Sequence, residues 1–253
     1  MESLLQEGKM NMKIGKFEIS RKLFITLIIV VVLAIAALII KITYINKYNK
    51  YKIDDNEEFV YTYKTYNNSN TDIPFVNIDS DFAKNLNDQV QKLGETYKES
   101  NTSNNSMSYR YNNKDNIVSL VFIFKSLDTN NNLIFDFKTY VFDLKEDGKP
   151  LTNDEILDKF GITEEEINKE IELQMVKKYD DEISKKVIPG TCNFKDCYMA
   201  LRNVNKFTDN AHYYIEDGWL VVYTTYNAYS QYNEQSYFSR DDFKFYITNV
   251  MKK

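Results

Sequence analysis

The sequence has 253 residues, 32 basic against 37 acidic side chains, a net charge of −5 and 43% hydrophobic residues. An acidic balance of this kind argues against a nucleic-acid partner, whose phosphates select basic surfaces. One histidine and two cysteines leave too few soft ligands for a zinc centre of the usual Cys/His kind.

Residues 1–22 are polar and include Lys13, Lys16, Arg21 and Lys22. The next eighteen residues, 23–40, read LFITLIIVVVLAIAALII, with no charge and Thr26 as the one polar side chain. At about 1.5 Å per residue such a helix crosses most of a roughly 30 Å hydrocarbon layer. A core helix would carry a polar face, and this run has none. We therefore expect a transmembrane helix over 23–41. Ala34-Ile35-Ala36 also fits a signal-peptidase site after an eleven-residue apolar region, but the run continues through Ile40, as an anchor would. Lys41, Lys47, Lys50 and Lys52 balance the basic residues on the other side, so flanking charge does not orient the span. Long C-terminal regions translocate despite a few lysines, which sets residues 1–22 inside and the rest outside the cytoplasm.

Residues 42–253 contain 26 basic and 34 acidic side chains, a net charge of about −8 with His212 neutral. That surface attracts a basic partner and repels anionic lipid, or it serves solubility alone. Residues 42–56 read as a polar stalk, and 57–253 as one extracytoplasmic domain.

Within that domain, EEFVYTYKTY at 57–66 alternates as a strand does. Asp79-Ser80 opens a helix whose apolar stripe is Phe82, Leu86, Val90, Leu93 and Tyr97. Three strands follow, MSYRYNN (107–113), IVSLVFIFKS (117–126) and NLIFDFKTYVFDL (132–144); the middle one is apolar on both faces and belongs at a sheet centre. Asp147-Gly148 is a turn. Thr152 with Glu155 and Thr163 with Glu166 have capping-box spacing, so two helices follow, separated by Gly161. Cys192 and Cys197 read as a disulfide outside the cell, with free thiols as the alternative. Asp217-Gly218 turns a hairpin between Tyr213-Tyr214-Ile215 and WLVVYTTY. SYFSRDDFKFYITNVM supplies a strand and a C-terminal helix. The class is α+β: a mostly antiparallel sheet with packed helices, preceded by the N-terminal transmembrane helix.

Trp219, Val221 and Tyr223 share one strand face, with Leu220 and Val222 on the other, as core residues do. Thr225, Tyr226, Tyr229 and Tyr232 come after the strand, among Asn, Ser and Gln. Tyrosine is enriched at recognition surfaces, so these four are the ligand-binding candidates, with ordinary packing as the alternative. Catalytic motifs are missing: there is no Gly-x-Ser-x-Gly, phosphate loop or dinucleotide fingerprint, and His212 has no nameable partner as a base. The expectation is a non-enzyme with no cofactor and no metal site.

Five stretches carry a family resemblance: PFVNIDSDFAKNLNDQV, NIVSLVFIF, TYVFDLKEDGKPLTNDEIL, the helix after it, and FTDNAHYYIEDGWLVVYTTY. Over roughly 57–245 the chain resembles the C-terminal domain of RsiV-type anti-sigma factors, which PdaC-type peptidoglycan deacetylases also carry. The resemblance implies a single-pass sensor in the cell membrane whose outer domain binds lysozyme as its protein ligand. It also implies a sigma factor as partner on the cytoplasmic side, freed after ligand binding exposes the stalk to proteolysis. An accessory domain of peptidoglycan modification, without catalysis of its own, is the other role it implies. Tyr226 matches the family's tyrosine position, whereas TTYNAYSQYNEQ lacks the prolines and glycine usual there. The inner 22 residues would make at most about 33 Å of helix.

Overall fold

The computed structural model describes residues 11–14, 17–98, 104–129, 131, 133–184, 206–225 and 240–249. It divides into two units, Met1–Lys50 and Tyr51–Lys253.

In the first unit, strands β1 (Asn11–Ile14) and β2 (Phe17–Ser20) pair antiparallel ahead of helix α1 (Arg21–Asn49). Helix α1 is 29 residues long and runs on into the segment read from sequence as an irregular stalk. Its large apolar side chains are exposed all round, from Ile25 to Ile40. Among the described residues no helix is long and apolar enough to cross a membrane. The described apolar side chains of α1 cover 24–40; those of Arg21–Leu23, Lys41 and Ile42 fall outside that set.

The second unit is α+β with antiparallel sheets. Strands β3 (Val60–Tyr66) and β4 (Thr71–Val76) form a two-stranded sheet; β5 (Ser106–Lys114), β6 (Ile117–Leu127) and β7 (Leu133–Asp143) form a meander. Strand β4 begins within NNSNTD (67–72), which reads as a loop from its composition. As its run of two-sided apolar residues requires, β6 is central, and Ile117 to Ile123 are all buried.

Helix α2 (Asp81–Tyr97) is capped by Ser80, whose Oγ accepts from the Ala83 amide at 3.1 Å and donates to the Gly148 carbonyl at 2.9 Å. Its buried face is Ala83, Leu86, Asn87, Val90 and Gly94, rotated from the expected stripe; Phe82 and Leu93 lie at the margins. Gly94 sets the approach to β4, since a Cβ there would lie 2.2 Å from Ile73 Cδ1. Phe82 packs on Tyr140 and Phe142 of β7, with ring centroids 5.8 and 6.1 Å away.

Helices α3 (Asn153–Phe160) and α4 (Glu164–Ser184) begin where their capping boxes place them. The Thr152 amide donates to Glu155 Oε2 at 2.7 Å, and the Thr163 amide to Glu166 Oε2 at 2.8 Å. Gly161, at φ 61° and ψ 41°, ends α3 in the left-handed region. A 3-10 turn at Phe207–Asn210 leads into β8 (His212–Glu216), which pairs with β9 (Trp219–Tyr223), and β9 pairs with β10 (Lys244–Thr248).

One face of this β8–β9–β10 sheet, with Tyr213, Ile215, Leu220, Val222 and Phe245, packs on Ile156 and Phe160 of α3 and Ile167, Ile171 and Met175 of α4. The other, with Tyr214, Val221 and Tyr223, packs on Val121, Ile123 and Phe137 of the β5–β6–β7 sheet. The expected single sheet is thus three, β3–β4, β5–β6–β7 and β8–β9–β10, the last two sharing a core. Trp219 departs from the core expectation: it keeps 37% of its surface open. It is the first residue after the hairpin turn, where the strand has least cover.

Asp143 ties the end of β7 to α3. It is buried and accepts from Lys159 Nζ at 3.0 Å, Asn116 Nδ2 at 2.5 Å and the Lys145 amide at 3.1 Å. Burial alone would raise its pKa, but these three donors outweigh it and hold the carboxyl below its usual value. A carboxyl depressed in the folded state contributes stability that is full above its unfolded pKa, about 3.9, and is lost as pH falls through the folded value. The expected result for Asp143→Asn is a loss of about 2 kcal/mol at neutral pH and a shallower fall in stability below about pH 4. Urea melts across pH 2–7 check it; an acid limb as steep as in the parent refutes it.

Candidate functional site

Tyr226, Tyr229 and Tyr232 lie outside the described residues, as do Cys192 and Cys197; of the ligand-binding candidates only Thr225 lies within them, half-buried. What can be described is how residues 226–239 are rooted. Strands β9 and β10 are antiparallel neighbours with Tyr223 opposite Lys244, so the segment leaves and re-enters at one end of the sheet.

Both roots are clamped. On the way out, fully buried Thr224 donates its hydroxyl to the Phe207 carbonyl at 2.6 Å, and its amide to the Phe243 carbonyl at 3.1 Å. On the way back, Asp241 meets Arg110 at 2.5 Å, Asp242 pairs with Lys178 of α4, and Phe243 is buried between the two sheets.

The inter-sheet layer beneath is apolar and aromatic, with tyrosine hydroxyls inside it. Among the described residues the buried hydroxyls of Tyr214 and, on the opposite face, Tyr213 have no hydrogen-bond partner, whereas the Tyr223 hydroxyl interacts with Arg110. Burial pushes the Tyr213 phenol up to about 12, with Glu164 and Asp154 adding to the rise. Tyr214 is driven further up by burial and by Glu216. Tyr223 is raised by burial, against which Lys244 and Arg110 act. These phenols stay protonated at any physiological pH.

Around the rim, Lys244 Nζ donates to Glu216 Oε2 at 2.6 Å, and the Tyr246 hydroxyl donates to the same oxygen at 2.5 Å. Burial alone would lower the Lys244 pKa, but these bonds raise it overall, so it remains an ammonium. Trp219 meets Tyr246 edge to face, with ring centroids 5.9 Å apart. Across the turn, Asp217 Oδ1 accepts from Asn112 Nδ2 at 3.1 Å, and its carbonyl accepts from Lys114 Nζ at 2.8 Å.

His212, opposite Tyr223 in the register, is partly buried, and burial lowers its pKa, with Asp136 opposing. Among the described residues no three His, Cys, Asp or Glu side chains converge as metal ligands would. Sequence reading did not single out Arg110, Glu216, Lys244 or Tyr246. Each sits on an alternating strand where charge reads as solvent-facing, and only the stacking of two sheets reveals the cluster. The legible signal was the chain's one tryptophan directly after an Asp-Gly turn.

The chain matches no protein-family model, and no curated protein matches it.

Proposed function

We propose that this chain is a membrane-anchored, extracytoplasmic binding or sensor module, and that its ligand is a protein of the lysozyme kind. The observation that carries the reading is α1. Residues 23–40 lie within one continuous helix and have no charge, giving about 27 Å of apolar rod. A helix that is apolar all round needs either a protein core or lipid as its solvent. The apolar side chains of α1 are open from Ile25 to Ile40, which favours lipid.

The domain that follows supports the binding half of the proposal. Residues 226–239 contain Tyr226, Tyr229, Tyr232 and Tyr237, and the chain on either side of them is pinned at one end of the β8–β9–β10 sheet by Thr224, Asp241 and Asp242. A recognition segment on a rigid scaffold loses less entropy on binding than one on a mobile tail. The acidic domain surface favours basic partners.

The test is titration of the full-length chain, in detergent micelles, with lysozyme at about 20 and about 300 mM salt, which brackets the usual screening range. The expected outcome is saturable binding that weakens at the higher salt. Absence of binding at both concentrations removes the ligand. Protease added to intact cells should digest residues 51–253; protection of that portion until lysis would overturn the orientation.

A further inference from the structure

We propose that Trp219, Tyr246 and Glu216 form a shelf that binds one pyranose ring of a neutral oligosaccharide. Strand alternation puts Trp219 on the same face as Val221 and Tyr223, which are fully buried, yet the indole is 37% exposed and Tyr246 beside it 43%. The two rings stand at 87° and make an open right-angled corner. Tyr246 is held there through its hydroxyl on Glu216 Oε2 and by Lys244, whose Nζ lies 4.7 Å from its ring centroid. The corner is therefore preorganised rather than a pair of loose side chains.

Two polar groups at the corner are unused among the described residues. Glu216 directs only Oε2 at Lys244 and Tyr246, leaving Oε1 free, and the Trp219 indole N–H donates to nothing among the described residues. An exposed indole face, a free carboxylate oxygen and a free N–H donor complement a sugar ring. Such a ring offers C–H bonds on its face and hydroxyls at its edge.

Other ligand classes fit less well. An anion would need an unpaired cation, and the Lys244 ammonium is committed to Glu216 with its side chain 9% exposed. A cation would find Glu216 already neutralised by Lys244. The shelf belongs to the domain itself, and its assignment does not depend on the membrane anchor or on a protein ligand.

Trp219 is the sole tryptophan of the chain, so indole emission reports this corner alone. The experiment titrates the full-length chain, in a sugar-free zwitterionic detergent, with the β-1,4-linked tetramer of N-acetylglucosamine and with that of glucose. The expected result is a saturable emission change with at least one of them, with Kd at or below about 1 mM. By calorimetry, Trp219→Ala should weaken binding at least about tenfold, and Glu216→Gln by about the same factor. Because Glu216 also holds Lys244, the exposed Trp219 variant provides the arm in which folding is not at issue. No emission change and no heat with either sugar overturns the proposal. Binding that survives undiminished in Trp219→Ala does so as well.

Discussion

Asn87→Leu lowers the stability of the domain by about 4 kcal/mol. Asn87 sits in α2 but acts as a neighbouring strand for β4: its Oδ1 accepts from the Val76 amide at 2.7 Å, and its Nδ2 donates to the Val76 carbonyl at 2.9 Å. Both residues are buried, so water cannot replace the bonds. Leucine has nearly the same volume and opens little cavity. What remains is two orphaned backbone groups, each costing roughly 1–3 kcal/mol. Urea denaturation of the full chain in detergent measures the loss, with an unchanged m-value showing that the same surface unfolds. A change under about 1 kcal/mol would mean that the backbone of β4 finds other partners, and the account of α2 as a surrogate strand would fail.

Asn77→Ala costs about 3 kcal/mol, and the cost falls on residues 51–59 rather than on the whole domain. Fully buried Asn77 accepts from the amides of Ile53 and Asp54 at 3.1 and 2.9 Å, and donates to the carbonyls of Asp54 and Glu58 at 2.7 and 3.1 Å. Four hydrogen bonds at about 1 kcal/mol net each, with the exposed Ile53 and Asp54 regaining water when released, set the magnitude. Main-chain bonds from Asn77 to Phe59 and from Asp79 to Tyr51 persist, so the strap loosens without leaving. Hydrogen exchange is the direct measurement: the amides of Ile53 and Asp54 should exchange about a hundredfold faster, while those of β6 are unaffected. If those two amides keep their protection, the side chain of Asn77 is not what holds the strap.

Neither asparagine stands out in PFVNIDSDFAKNLNDQV. In a helix an Asn reads as polar surface, and after a strand it reads as turn. Asn87 sits one turn from Ala83 and flanks a Phe82–Leu86–Val90–Leu93 stripe instead of lying within it. The buried face is rotated because Gly94 and Ala83 let the helix approach β4 closely, and small residues carry no weight in a count of apolar side chains. Trp219 fails in the other direction, since alternation cannot tell a covered strand from its uncovered first residue.

Local chemistry determines much of this chain independently of its tertiary fold. The starts of α3 and α4 are written in hydroxyl-to-glutamate spacings that act within one helical turn. The reversal at Asp217-Gly218 rests on backbone angles only a few residues tolerate, and the central place of β6 follows from its apolar side chains on both faces. The same holds for the unbroken apolar run of α1. Those signals act over a few residues, so sequence suffices to read them. The stacking of β8–β9–β10 on β5–β6–β7 was decided by contacts between residues a hundred positions apart, such as the Ile215 amide donating to Ser119 Oγ at 3.3 Å. Only that stacking buried the tyrosines, left the Trp219 corner open and brought Arg110 to Asp241, because long-range packing depends on which faces meet and no local pattern encodes the partner.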